Sequence, residues 1–226
     1  VRVMGEPTDA PPSAPRRNAL NLAADPFPTK FAVAKVDDDI ACQRMIDRAF
    51  ATSAAVKTLM GAMERAGCAV NRAFFSCEHC EQDCQGGYDR DRGVILCQQH
   101  MQNSASLIES TMVHELIHAF DDCRAHVEWT DLKHHACTEI RAANLSSDCA
   151  FSHELMRGNF NMRAQQQKCV RRRAELSVAM NPSSKGSRDV KEAVSSVWLQ
   201  CYKDKAPFDS VSTSAEPALP SSAPQV

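Results

Sequence analysis

The sequence predicts a mostly helical α+β domain that contains a small β-hairpin or sheet and is tied together by disulfide bonds. Three observations indicate this fold class. Apolar residues recur at helical spacing in several long segments, and one short apolar run is typical of a buried strand. The chain of 226 residues also contains eleven cysteines, which indicates an oxidising compartment. Because this number is odd, at least one cysteine is unpaired, and at most five bridges can form.

Composition divides the chain into three parts. Residues 1–37 are rich in Ala, Pro and charge, and residues 210–226 in Ser, Pro and Ala, so we expect a disordered leader and a disordered tail around a folded domain at 38–209. No stretch reaches the ~20 apolar residues that a membrane-spanning helix needs. The 26 Lys and Arg against 28 Asp and Glu leave a formal net charge of −2, which argues against a nucleic-acid binder.

The folded part begins with an amphipathic pattern from about residue 40 to 66, which predicts one helix before Gly67. The segment 85–88 has the composition of a turn, and 93–97 has that of a short buried strand, which together predict a hairpin. Such a strand could lie at a sheet edge and pair with an extended substrate. Further helices are predicted around 107–120, 131–144, 150–180 and 187–203.

The most informative motif is His114-Glu115-Leu116-Ile117-His118. Histidines four apart lie on one face of an α-helix, about 6 Å apart along its axis, so both imidazoles can reach one tetrahedral Zn²⁺. Glu115 points elsewhere around the helix and can take a proton from an attacking water and return it to the leaving amine. The motif therefore predicts a zincin-like metallopeptidase with His114 and His118 as metal ligands and Glu115 as the catalytic residue.

A catalytic zinc needs a third protein ligand, and Glu139 is the best candidate. It lies in the middle of a second predicted helix, which Asp131 could cap, and twenty-one positions beyond His118. A ligand glutamate at this spacing is typical of gluzincins. The alternatives that stay open are His135, His134 and Asp122. A straight helix would carry Asp122 roughly 12 Å from His114, which is too far to share a metal.

A group of cysteines and a run of basic residues can each be interpreted in two ways. Cys77, Cys80, Cys84 and Cys97 have the spacing of a second, structural zinc site, but zinc would require reduced thiolates, and the other cysteines favour oxidation. The basic run 171–173 could contact anionic lipid or an acidic partner, although a solvated helix face is the simpler interpretation.

Several of these segments together resemble a known family. The run from His114 to Asp122, the segment 132–144 and Asn181-Pro182 are similar to the mitochondrial inner-membrane metalloproteases that process and help assemble the ATP synthase. The likeness covers about residues 42 to 209. It implies a zinc endopeptidase that is peripherally attached to the inner membrane on the intermembrane-space side. Its expected substrate is the precursor of a mitochondrially encoded membrane subunit of the ATP synthase.

The chain departs from the family pattern at two places. Ser183-Ser184 stand where a cysteine would be expected, and Cys123 looks additional, so we expect one disulfide to be rearranged or missing.

Two other functions stay open. The protein could act as an assembly chaperone that holds the subunit without cutting it. A zincin that cleaves DNA-bound protein is a third hypothesis, against which the near-neutral charge and the cysteines argue.

Overall fold

Six helices and a three-stranded sheet form the part of the chain that the structure, a computed structural model, describes: residues 30–81, 83–101, 104–149 and 165–211. The helices are α1 Lys30–Thr52, α2 Ala54–Arg65, α3 Ala105–Ala125, α4 Leu132–Leu145, α5 Gln165–Ala179 and α6 Ser187–Lys203. The strands are β1 Phe75–Glu78, β2 Gly86–Asp89 and β3 Gly93–Cys97. The predicted mostly helical class with a small sheet is confirmed.

The helix predicted over about 40–66 is in fact two helices, which break at Ser53. Ser53 has an extended backbone, and its hydroxyl accepts a hydrogen bond from Val56 N and caps α2. The apolar spacing runs across this break, so the pattern did not reveal it.

Helix α1 begins at Lys30, inside the segment 1–37 that we expected to be disordered. The rest of that leader, the segment 150–164 and the tail beyond 211 lie outside the described residues.

The sheet has the order β1-β3-β2, with β1 parallel and β2 antiparallel to β3. The predicted strand at 93–97 is present as β3, but the predicted turn at 85–88 is wrong, because Gly86 and Gly87 belong to β2, which pairs with β3 in a hairpin whose turn follows Asp89. A Cβ atom on Gly86 would lie 2.7 Å from Ile95 O in the backbone of β3 and 3.0 Å from Thr111 Cγ2 on α3, so glycine is required where β2 approaches the backbone of β3. Strand β3 is central, and β2 is the edge on the side of α3.

Two hydrophobic clusters form the core. The first joins α1, α2, the sheet and α3 through Ile46, Leu59, Leu96, Ile108 and Leu116. The second joins α4, α5 and α6 through Ile140, Val170, Val178 and Val194. Helix α4 lies between them, since its Ala142 belongs to the first cluster. Within the described residues, we find no helix with the length and apolar character needed to cross a membrane.

Disulfides join ten of the eleven cysteines, all of which lie in the described part of the chain: Cys42–Cys77, Cys68–Cys123, Cys80–Cys97, Cys137–Cys201 and Cys149–Cys169. Cys123 is therefore not surplus, and the free cysteine is Cys84. The alternative of a second zinc site is not supported, because three of its four sulfurs are in disulfides. The thiol of Cys84 lies 3.6 Å from Cys97 Sγ.

A buried arginine on α4, Arg141, forms hydrogen bonds with α3 and with the segment that follows α6. Arg141 is only 1% exposed, and its Nε donates to Asp121 on α3, with 2.9 Å to Oδ2. Its two terminal nitrogens donate to the carbonyls of Asp204 and Ala206, at 2.7 Å and 2.5 Å, in the chain that follows α6. Because each donor has an acceptor, the charge is compensated although it is out of contact with water.

Replacing Arg141 with Met should lower the free energy of unfolding by about 3–5 kcal/mol, because Asp121 then keeps only the partly exposed Arg124 as a partner and the carbonyls of Asp204 and Ala206 lose their donor. The measurement is denaturant unfolding of the oxidised protein in a metal chelator. Arg92→Met is the control, since Arg92 pairs with Glu78 at the surface and its removal should change stability little. Equal losses in the two variants would contradict the proposed importance of the buried contact.

Candidate active site

A cavity of about 670 Å³ opens between α3, α4, β2 and the end of α5. Its wall contains the predicted residues His114, Glu115, His118 and Glu139. Helix α3 presents the first three from one turn, and α4, which Asp131 caps as predicted, presents the fourth. The structure therefore brings all of the predicted site residues together in one cavity.

The two motif histidines converge on Glu139. His114 Nε2 lies 3.6 Å from Glu139 Oε2, and His118 Nε2 lies 3.5 Å from Oε1. One ligand atom from each of these three residues lies within 4.8 Å of the others. Two imidazole nitrogens and a carboxylate oxygen are donors that suit zinc.

The three alternative ligands, Asp122, His134 and His135, are not part of this group of ligand atoms. Asp122 accepts hydrogen bonds from Arg90 and Tyr88 and so fastens the hairpin to the end of α3. His134 accepts from Glu128 N at the surface. His135 is close to Glu139, with its Nε2 3.3 Å from Oε1, but it is not part of the mutually close ligand group.

The electrostatics of the site favour a cation beside Glu139. Burial would raise the pKa of Glu139, but His118 and hydrogen bonds from His114 and His135 hold this pKa well below its ordinary value. Burial would lower the pKa of His114, but the hydrogen bond to Glu139 and the charges of Glu115 and Glu139 outweigh it and raise the pKa to about 9. Positive charge is therefore stabilised where the imidazoles meet the carboxylate.

His118 is held in a neutral form that can ligate. Burial, opposed by Glu139 and reinforced by His114 and His135, lowers the pKa of His118 to about 3. Its Nδ1 lies 2.9 Å from the hydroxyl of Thr138. With Nδ1–H donating to that hydroxyl, the lone pair of Nε2 faces Glu139 and the cavity.

Glu115 lies in the cavity wall but outside the ligand group. It is 7% exposed. Burial raises its pKa to about 7, with Glu139 adding to the shift and His114 and Arg173 opposing it. A carboxyl group with this pKa can exchange a proton at neutral pH.

The predicted basic run is only partly a solvated helix face. Arg173 lines the cavity, and its Nε donates to Asp148 Oδ2 at 2.6 Å. The guanidinium of Arg171 lies 4.3 Å from the centre of the Trp198 ring. Arg171 and Arg173 therefore make defined contacts within the protein, and Arg172 Nη2 lies 3.9 Å from Cys169 Sγ.

Sequence reasoning did not identify several residues that support the site. Ser177 on α5 donates to Glu139 Oε1 at 2.5 Å, and Trp129 packs its ring against those of His118 and His135. Asn181, which follows α5, contacts both Trp129 and His135. The sequence predicted a helix over 150–180 but carried no sign that Ser177 would contact a carboxylate on α4.

Comparison with known proteins finds relatives that are named as proteases. No solved structure matches the chain. The mitochondrial inner membrane protease ATP23 homolog of Homo sapiens is 44% identical over 171 residues, which is 74% of this chain and 68% of the relative. The homolog of Danio rerio is 38% identical over 226 residues, covering 95% of this chain and 87% of the relative. Mitochondrial inner membrane protease atp23 of Schizosaccharomyces pombe is 35% identical over 171 residues, with coverage of 75% and 92%.

The family profile described as the peptidase M76 family matches residues 40–209. This match spans every element of the described structure from the middle of α1 to the segment after α6. The family that the motifs resemble is thereby confirmed. The chain belongs to the peptidase M76 family.

Proposed function

We propose that this peptidase is a zinc metalloendopeptidase in which His114, His118 and Glu139 bind the metal and Glu115 is the general base. The observation that supports the proposal is the group of three ligand atoms within 4.8 Å of one another, in the wall of a cavity that Glu115 shares. A catalytic zinc takes three protein ligands of this type and keeps one position for water or substrate. Magnesium and calcium prefer oxygen ligands alone and fit this donor set less well.

When bound, zinc supplies Lewis-acid polarisation of the peptide carbonyl and makes the attacking water more acidic. Glu115 takes the proton of that water and delivers it to the nitrogen of the leaving amine. The pKa of Glu115, about 7 as a result of burial, would fall beside a divalent cation, which favours the ionised base. Glu115 is thus positioned to transfer the proton and not to bind the metal.

The free edge of β2 suits an extended peptide substrate. Cys97 N donates to Gln85 O at 2.9 Å, and pairs in an antiparallel ladder alternate between bonded and non-bonded. Gly87 and Ile95 are then a bonded pair, whereas the backbone groups of Gly86 and Tyr88 point away from β3. Both residues line the cavity, so this edge of β2 can pair with a substrate backbone whatever its side chains are.

We further propose that the protein acts at the mitochondrial inner membrane, as the names of its relatives state for them. The five disulfides support an oxidising compartment, and we place the protein peripherally on the intermembrane-space side. The proposed substrate is the precursor of an ATP synthase membrane subunit, and the proposed further role is in assembly of that enzyme. These two proposals rest on the family resemblance.

Replacing Glu115 with Gln should lower the rate of peptide cleavage by about 10²–10⁴-fold, because the amide cannot accept the proton. Zinc content should stay near that of the unsubstituted protein, since Glu115 is not in the ligand group. The measurements are precursor cleavage and metal analysis of the same samples. Undiminished cleavage would contradict the proposed mechanism, and full assembly of the synthase by the Glu115→Gln protein would favour the chaperone hypothesis.

A peptide substrate that pairs with β2 should be sensitive to N-methylation at alternate amides, because only alternate groups face the strand. Each methyl group that removes one of these hydrogen bonds should raise KM by about tenfold, equivalent to roughly 1.4 kcal/mol. Methyl groups at the intervening amides should have a smaller effect. A scan of singly methylated peptides measures this, and an effect without alternation would argue against strand pairing.

A further inference from the structure

The side chain of Asn181 is held in one orientation by partners that have only one hydrogen-bonding role. Its Oδ1 accepts from Ser183 N at 2.9 Å, and a backbone N–H can only donate. Its Nδ2 donates to Trp129 O at 2.8 Å, and a carbonyl oxygen can only accept. Exchanging the amide oxygen and nitrogen would break both contacts, so the network fixes the orientation of the amide.

This orientation determines the protonation of His135. The second N–H of the Asn181 amide points at His135 Nδ1, which is 2.9 Å away. Nδ1 must accept this hydrogen bond and therefore carries no proton. An imidazolium, with N–H groups on both ring nitrogens, would place two donors against each other. This hydrogen-bond geometry selects the tautomer of His135 that carries its proton on Nε2.

His135 Nε2 lies 3.3 Å from Glu139 Oε1 of the site carboxylate, and His118 Nε2 lies 3.5 Å from the same oxygen. The hydroxyl of Ser177 donates to the same oxygen. Two donors therefore meet on Oε1, whereas Oε2 faces His114 Nε2 at 3.6 Å. This arrangement restrains rotation of the carboxylate and leaves Oε2 on the side of the first motif histidine.

We propose that Asn181 and His135 form a positioning relay that sets the orientation of Glu139 for metal binding, with His135 acting as a hydrogen-bond donor and not as a ligand. The proposal rests on the metal site proposed above. Partners of this kind around zinc ligands typically contribute about 10–100-fold to metal affinity. The relay also explains why His135 is partly buried beside the site while it lies outside the ligand group.

The tautomer can be measured without metal. Long-range ¹H–¹⁵N correlation spectra of the metal-free protein should show His135 protonated on Nε2 alone. Asn181→Asp replaces the amide donor with an acceptor and should place a proton on Nδ1. A proton on Nδ1 in the unsubstituted protein would overturn the proposal, and so would an Nδ1 that stays unprotonated in Asn181→Asp.

Zinc affinity, measured by competition with a chelator, tests the effect on Glu139. The amide of Gln reaches about as far as imidazole Nε2, whereas the amide of Asn is one methylene shorter. His135→Asn should therefore weaken zinc binding by about 10–100-fold, and His135→Gln should retain most of the affinity. His134→Asn is the matched control, because His134 lies at the surface and its removal should leave zinc binding unchanged.

The outcomes separate this inference from the proposed function. If Glu139→Ala fails to weaken zinc binding, the proposed metal site is wrong, and the relay, which depends on that site, is wrong as well. If Glu139→Ala weakens binding but His135→Asn does not, the relay alone is wrong. Equal losses in His135→Asn and His135→Gln would also contradict it, because a ligand role or a packing role would then explain His135. A titration of one free thiol confirms that each variant retains the native disulfides.

Discussion

The interaction on which the rest of this structure depends is the burial of an ionised Glu139 among imidazole rings. A lone carboxylate in this position would be costly, because water cannot solvate it. The cost is offset only while α3 and α4 keep their relative positions, since a slip of one helical turn would move the carboxylate about 5.4 Å from its partners. Arg141 and the Cys137–Cys201 disulfide hold α4 on either side of Glu139 in the sequence and so maintain this alignment.

Local features of the site could be predicted from the sequence. The motif histidines lie within one turn of α3, and the cap of α4 depends on Asp131 and the backbone next to it. The position of Glu139 depends on how two helices pack, yet its spacing from the motif was enough to single it out. These predictions succeeded because each rests on contacts between residues that are close in the chain, or on one helix pair.

Other features depend on contacts between distant segments, and no local pattern carries them. Cys68 and Cys123 are separated by 55 positions, so their pairing could not be predicted from spacing. The Gly86-Gly87 pair looked like a turn, but Gly86 is a strand residue where a Cβ atom would collide with Ile95 O on β3. The contacts of Ser177 and Asn181 with the site likewise arise only when α5 and the segment after it pack onto α4.

The division of the core into two clusters has a consequence for how the molecule works. The motif histidines are on a helix of the first cluster, whereas Glu139 is on the helix that borders the second. A bound ion would therefore act as a cross-link between two separately packed halves. The three proposed metal ligands would then both stabilise the fold and support catalysis. Selection for activity and selection for stability would therefore act on the same residues.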